Sequence, residues 1–333
     1  GLTNKILESF VGRKIVFSQA LKMTKSQTRG HYPAPLKALE VIKSALCKNR
    51  EKALAIEANA FSELAETDVS KNLIHVFFLS ESVKKMSGVS NREVKPRAVK
   101  SLGVLGAGTM GGGVAYVAAS AGVDVRLKDI SSDALAKGFQ AASKLWSKEL
   151  EKKRIDKYQM GRNLARLSST FDFSGFGHLD VVIEAIVEDM NIKKKVIAET
   201  AKNCGPNCII ATNTSSLSVS EMGEGHPHPE NFVGMHFFNP VDKMPLVEVI
   251  RGSKTSDEVV ATIFDLSKKM GKIPVVVKDG PGFLVNRLLM PWLSEALFML
   301  ADGMDIAKVD RIYTHKFGMP MGPFHLIDEV GID

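Results

Sequence analysis

Leu102-Gly103-Val104-Leu105-Gly106-Ala107-Gly108-Thr109-Met110-Gly111 is the stretch whose reading decides the fold. Residues 102–105 read as a short buried strand, and they run directly into a Gly-x-Gly-x-x-Gly loop. A helical stretch of small residues follows, with Ala115, Ala118 and Ala119, and Gly122 supplies its stop. A second strand over 123–128 then ends at Asp129. Each position has a physical task in a dinucleotide site. Gly106 permits a tight turn, Gly108 lets a pyrophosphate approach the backbone, and Gly111 allows the helix to pack close to the sheet. Thr109 and Met110 open that helix, whose first-turn N–H groups and partial positive charge face the phosphates. Asp129 is placed to accept both ribose hydroxyls and to repel a 2′-phosphate, which favours NAD over NADP.

The pattern continues outward. Apolar runs at 102–105, 123–127, 181–183, 208–211, 232–235 and 275–277 alternate with helical segments. That alternation predicts an α/β fold, a Rossmann-type doubly wound, mostly parallel sheet, over residues 98–280. Residues 1–97 read as a helical linker region. Leu54, Ala58, Phe61 and Ala65 share one helical face, and Leu73, Val76, Phe77 and Val83 another. Gly30 stops a helix, and His31-Tyr32-Pro33-Ala34-Pro35 reads as a rigid turn. The polar segment 84–98 has the composition of a linker. Asp279-Gly280-Pro281-Gly282 ends the alternation, and helices are expected over 283–300 and 306–317. Residues 281–333 read as the start of a C-terminal all-α domain, too small to stand comfortably alone. The expectation is a chain truncated at both ends.

Composition narrows the function. The formal charge is +7, but the lysines are dispersed and aromatic residues make up only 7%. A nucleic-acid surface would show a basic stripe with stacking aromatics, so a small polyanion is the expected partner instead. No apolar run is long enough to insert into a membrane. Cys47, Cys204 and Cys208 form no disulfide framework, and no histidine completes a zinc set around them, so no metal is expected. His226 and His228, alternating with prolines, read as solvated loop residues.

Later polar residues stand where packing does not require them. Asn213-Thr214-Ser215-Ser216 follows the strand at 208–211, where open α/β sheets bind ligands. Ser218-Val219-Ser220-Glu221 has the form of a capping box. His236 follows an apolar strand, and Glu248 interrupts the apolar run Leu246-Val247-Glu248-Val249-Ile250. A carboxylate so flanked is costly to bury without a partner, and His236 is a reasonable one. A satisfied core histidine and a solvent-facing strand position are the plainer alternatives for each alone.

Taken together, these segments resemble the L-3-hydroxyacyl-CoA dehydrogenase family. The resemblance rests on the glycine loop, Val182-Ile183-Glu184-Ala185-Ile186-Val187-Glu188, Asn213-Thr214-Ser215-Ser216, Gly234-Met235-His236-Phe237-Phe238-Asn239-Pro240, Leu246-Val247-Glu248-Val249-Ile250 and Pro281-Gly282-Phe283-Leu284-Val285-Asn286-Arg287. The helical lead-in with His31-Tyr32-Pro33-Ala34-Pro35 is similar to the linker of the multifunctional fatty-acid oxidation α-subunit, where an enoyl-CoA hydratase domain precedes it. The resemblance implies NAD-dependent oxidation of a 3-hydroxyacyl-CoA in fatty-acid β-oxidation. His236 is then the general base oriented by Glu248, with Ser215 and Asn286 around the 3-oxygen. Glu188, Lys193, Asn213 and Asn239 would line the cofactor, and Lys144, Lys148, Lys152 and Lys153 would meet the CoA moiety, a solvated lysine face being the alternative. It also implies a bacterial cytoplasm or a mitochondrial or peroxisomal matrix, a possible thiolase partner and possible homo-oligomers. Other Rossmann β-hydroxyacid dehydrogenases take a lysine as base, which the His236–Glu248 pairing opposes. A non-catalytic family member is a further alternative.

Overall fold

The structure is a computed structural model that describes residues 9–91 and 93–331. It divides into two compact units, one spanning 82–289 and the other combining the described parts of 1–81 and 290–333.

Four helices come first: α1 (Phe10–Thr28), α2 (Pro33–Ala45), α3 (Arg50–Ala65) and α4 (Asp68–Lys85). Ser9 Oγ accepts the Gly12 N–H at 3.1 Å to cap α1. Arg29 and Gly30 then turn out of the helix at φ 49° and 82°. The expected rigid turn is shorter than its prolines suggested. Pro33 and Pro35 fall in the first turn of α2, where their fixed φ fits and no N–H is needed.

The central unit holds an eight-stranded sheet. In chain order it runs β1 (Ser101–Leu105), α5 (Thr109–Ser120), β2 (Asp124–Lys128), α6 (Ser132–Glu151), α7 (Lys157–Ala165), β3 (Leu167–Thr170), β4 (Val181–Glu184), α8 (Met190–Asn203), β5 (Ile209–Thr212), α9 (Val219–Gly223), β6 (Phe232–Phe237), β7 (Leu246–Arg251), α10 (Asp257–Lys269) and β8 (Ile273–Lys278). The strand order is β3-β2-β1-β4-β5-β6-β7-β8, and only the β6–β7 pair is antiparallel. The order reverses between β1 and β4, which opens a crevice at the carboxyl ends of the strands. Val104, Leu127, Val181, Ile183, Ile209, Val233 and Val249 are buried, as near-continuous apolar strands covered on both faces require. β3 was not among the expected strands, and His236 lies inside β6 rather than after it.

The polar segment after α4 is an ordered strap, not a free linker. Lys268 Nζ donates to Met86 O at 3.0 Å. Arg97 Nη1 donates to Asn207 O at 2.7 Å, and its Nη2 pairs with Glu258 at 2.8 Å.

After β8 come α11 (Val285–Ala301), α12 (Ile306–His315) and α13 (Pro323–Val330). Ala296, Val309 and Phe324 form a small core among them. The C-terminal helices share one compact unit with the first helices instead of standing alone. Arg29 Nη1 donates to Thr314 O at 2.7 Å, and His31 Nε2 donates to His315 O at 3.0 Å. Among the described residues no helix is long and apolar enough to cross a membrane.

Candidate active site

The glycine loop leaves β1 beside the point where the strand order reverses. Gly106 adopts φ 92°, and a Cβ there would stand 2.6 Å from Ala185 O. A Cβ on Gly111 would lie 1.8 Å from Gly106 O, so this glycine is required mainly by the loop's own carbonyl. Gly108 is exposed, and a Cβ on it would meet nothing within 4 Å. The space above it is thus open to a ligand, at the first turn of α5. Thr109 and Met110 form that turn. Asp129, just past β2, accepts the Ala107 N–H through Oδ2 at 2.7 Å and the Ser131 N–H through Oδ1 at 3.0 Å. The carboxylate is therefore held beside the loop. A cradle with an open glycine, a helix N-terminus and a fixed carboxylate fits a dinucleotide.

His236 and Glu248 are direct cross-strand partners in the antiparallel β6–β7 pair, so both side chains project to the same face. Nδ1 of His236 lies 2.8 Å from Oε2 of Glu248. A carboxylate can only accept, so Nδ1 carries the hydrogen and Nε2 keeps its lone pair in the neutral ring. His236 is 6% exposed and Glu248 0%. Phe238 and Phe283 flank the imidazole at ring-centroid distances of 4.5 and 6.0 Å. The other oxygen of Glu248 accepts the N–H groups of Leu284 and Val285 at 3.0 and 2.9 Å. These lie at the entry to α11, so the carboxylate sits on a helix N-terminus. Burial pushes the Glu248 carboxyl up. The bond from His236 and the two backbone N–H groups outweigh it and hold the group below the ordinary glutamate value.

A second constellation gathers at the ends of β4 and β5. Glu188 Oε1 accepts from Thr214 Oγ1 at 2.6 Å, from Ser215 N at 2.7 Å and from Ser215 Oγ at 3.1 Å. Asn286 Nδ2 donates to Ser215 O at 3.1 Å. Residues 284–286 therefore tie the His236–Glu248 pair to Ser215, because Val285 bonds Glu248 while Asn286 bonds Ser215. Asn213 accepts the Phe237 N–H through Oδ1 at 2.8 Å, joining the end of β5 to the strand that carries His236.

Other expected residues stand differently. Lys193 is only 1% exposed, with its ammonium enclosed by Glu184 at 2.7 Å and Glu188 at 3.2 Å. Asn239 is exposed in the loop after β6. Lys144 and Lys148 are exposed on α6, but the helix ends at Glu151 and Lys153 has φ 56°. The expected four-lysine helical face therefore does not extend to Lys153. His226 is 6% exposed rather than solvated, and its Nε2 is buried without a hydrogen-bond partner. Glu184 was quoted in the sequence without a role; it is the buried group that meets Lys193. The signal that could have found it is the one used for Glu248, a carboxylate closing the apolar strand Val181-Val182-Ile183.

Two family models account for most of the chain. Residues 101–280 match the 3-hydroxyacyl-CoA dehydrogenase NAD binding domain, and residues 282–333 match the 3-hydroxyacyl-CoA dehydrogenase C-terminal domain. The chain belongs to the 3-hydroxyacyl-CoA dehydrogenase family. This dehydrogenase is an NAD-dependent oxidoreductase with a Rossmann-type α/β fold. Among solved structures it is similar to (S)-3-hydroxybutyryl-CoA dehydrogenase from Ralstonia eutropha, at 37% identity and TM-score 0.68, covering 70% of this chain and 83% of that one. It is also similar to 3-hydroxybutyryl-CoA dehydrogenase from Escherichia coli, at 37% identity and TM-score 0.68, over 71% of this chain and 50% of that one. The dehydrogenase part of multifunctional enzyme 1 from C. elegans matches at 28% identity and TM-score 0.55, over 76% of this chain and 64% of that one.

Proposed function

We propose that this chain oxidises the 3-hydroxyl of an L-3-hydroxyacyl-CoA, with His236 as general base and Glu248 as its charge partner. The observation that carries the reading is the buried 2.8 Å bond between His236 Nδ1 and Glu248 Oε2. It turns the lone pair of Nε2 away from Glu248 and keeps the imidazole in one tautomer.

Gly106, Gly108, Gly111 and the first turn of α5 would hold the cofactor's pyrophosphate, and Asp129 its ribose. When bound, NAD supplies the nicotinamide ring that accepts a hydride from C3. His236 Nε2 takes the hydroxyl proton as the C3–O bond becomes a carbonyl. Glu248 stays ionised and stabilises the imidazolium that results. Phe238 and Phe283 cover the ring and limit the access of water. Ser215 and Asn286 orient the 3-oxygen, Ser215 by turning its one hydroxyl hydrogen from Glu188 to that oxygen and Asn286 through the amide hydrogen not bonded to Ser215 O. Lys144 and Lys148 are offered as contacts for the CoA phosphates.

The reading extends to fatty-acid β-oxidation within a multifunctional protein. Two observations support this: the helices that precede the dinucleotide domain, and the wider match to the dehydrogenase part of multifunctional enzyme 1, 76% of this chain against 70–71% for the two 3-hydroxybutyryl-CoA dehydrogenases. The test is oxidation of NADH by acetoacetyl-CoA. Turnover that saturates in acetoacetyl-CoA is expected, and none with acetoacetate alone. Binding of NADH without any turnover would overturn the catalytic reading.

A further inference from the structure

Glu184 and Lys193 are fully desolvated charges. Glu184 is 0% exposed and Lys193 1%. Glu184 Oε1 accepts from Lys193 Nζ at 2.7 Å and from Ile186 N at 2.9 Å, while Oε2 accepts the Thr212 hydroxyl at 2.7 Å. Lys193 Nζ also pairs with Oε2 of Glu188 at 3.2 Å. The opposite oxygen of Glu188 is the one bonded to Thr214 and Ser215. Two carboxylates thus share one ammonium. The remaining negative charge rests at Glu188, whose side chain keeps 37% of its exposure.

A buried ion pair is a poor device for stability alone, because a well-packed apolar pair fills the same space without the desolvation cost. Here the buried end is anchored to the sheet and the exposed end is anchored to Ser215. We propose that Glu184 and Lys193 are positioning residues that act through Glu188 to fix the backbone of Ser215, and with it the reach of its hydroxyl. The proposal rests on the reading of Ser215 as a group that orients the 3-oxygen. Glu188 can accept three hydrogen bonds on one oxygen only while ionised. Burial pushes its carboxyl up, but the Thr214 hydroxyl, the charge of Lys193 and the Ser215 N–H together bring it below the ordinary value. Removing the ammonium should let Glu188 protonate at higher pH and release Ser215.

The experiment compares the chain with Glu184→Gln and with the double variant Glu184→Gln/Lys193→Met, which leaves no unpaired buried charge. The assay follows acetoacetyl-CoA reduction by NADH across pH. The acid limb is the one that is read, because activity that needs Glu188 ionised is lost as pH falls. For the double variant, kcat should fall about tenfold to a hundredfold, the scale of a misplaced orienting group. KM for acetoacetyl-CoA should stay unchanged, and the acid limb should move to higher pH. Carboxyl 13C NMR of glutamate-labelled protein, with Glu188→Gln to assign the signal, should show Glu188 titrating at higher pH in the double variant. Ser215→Ala is run beside it. If Ser215→Ala keeps full kcat, the reading of Ser215 has failed and the array falls with it. If Ser215→Ala loses kcat while the double variant keeps its kcat and the Glu188 titration, the array alone is overturned. Failure of both array variants to fold also overturns it, since the charges would then serve the fold rather than Ser215.

Discussion

At the scale of single residues, His236 and Glu248 form one unit. Replacing His236 by Ala should lower kcat by about 10²–10⁴, the usual value of a general base, and leave NADH binding nearly unchanged. Glu248→Gln keeps the shape but removes the charge that favours the imidazolium, so it should lower kcat in the same direction. The double variant should lose less than the product of the single losses, which steady-state kinetics on the four proteins checks. Asp129 belongs to a separate function. Its carboxylate is held by Ala107 N and Ser131 N beside the glycine loop. Asp129→Ala should weaken NAD binding and narrow the gap to NADP, as fluorescence titration with the reduced cofactors would report. Equal affinity of the unmutated chain for NADP and NAD would remove Asp129 from the ribose site.

At the scale of elements, the β1–loop–α5 unit depends on Gly111. With a Cβ 1.8 Å from Gly106 O, an alanine must push α5 away from the loop. Gly111→Ala should cost about 1–3 kcal/mol of stability from overpacking, read by urea denaturation, whereas Gly108→Ala should leave stability nearly unchanged and weaken NADH binding. This unit was legible in the sequence because local signals agree there: an apolar strand, three spaced glycines and a helix of small residues. β3 was not legible. Leu167-Ser168-Ser169-Thr170 has one apolar residue, as an edge strand can, and its place comes from pairing with β2. The His236–Glu248 pairing could be suspected from a carboxylate in an apolar run. The reason for it, an antiparallel register that sets the two residues opposite each other, is a long-range fact. The same holds for Leu284 and Val285, whose backbone N–H groups carry no side-chain signature at all. The prolines at 33 and 35 misled for a different reason: a proline opens a helix as readily as it stops one.

At the scale of the whole molecule, acid should act on stability in two stages. Burial lowers the His226 imidazole below the ordinary histidine value, and Nδ1 can accept the His228 N–H, at 2.9 Å, only while that nitrogen is unprotonated. The folded state therefore holds His226 neutral, while the unfolded chain takes up a proton once pH falls below about 6.5. Its contribution is complete at higher pH and is lost as pH falls through that range. The carboxylates of Glu248, Asp279, Asp180 and Glu188 act lower down. Burial raises each, but hydrogen bonds outweigh it and leave each below its ordinary value. Their contribution is full above the ordinary carboxylate range and disappears as pH falls through their lowered values. Melting temperature should therefore decline first between pH 7 and 5, then more steeply below pH 4. His226→Asn can offer Oδ1 to the His228 N–H in place of Nδ1, and it should remove the first decline while leaving the second.

The helical unit is assembled from two stretches separated in the chain by the whole dinucleotide domain. During synthesis, Arg29 and His31 emerge long before the carbonyls of Thr314 and His315 that they bond. The sheet can close while the early helices still lack these carbonyl partners. Order of manufacture and order of folding are thus opposed here: the helices made before the sheet are completed after it.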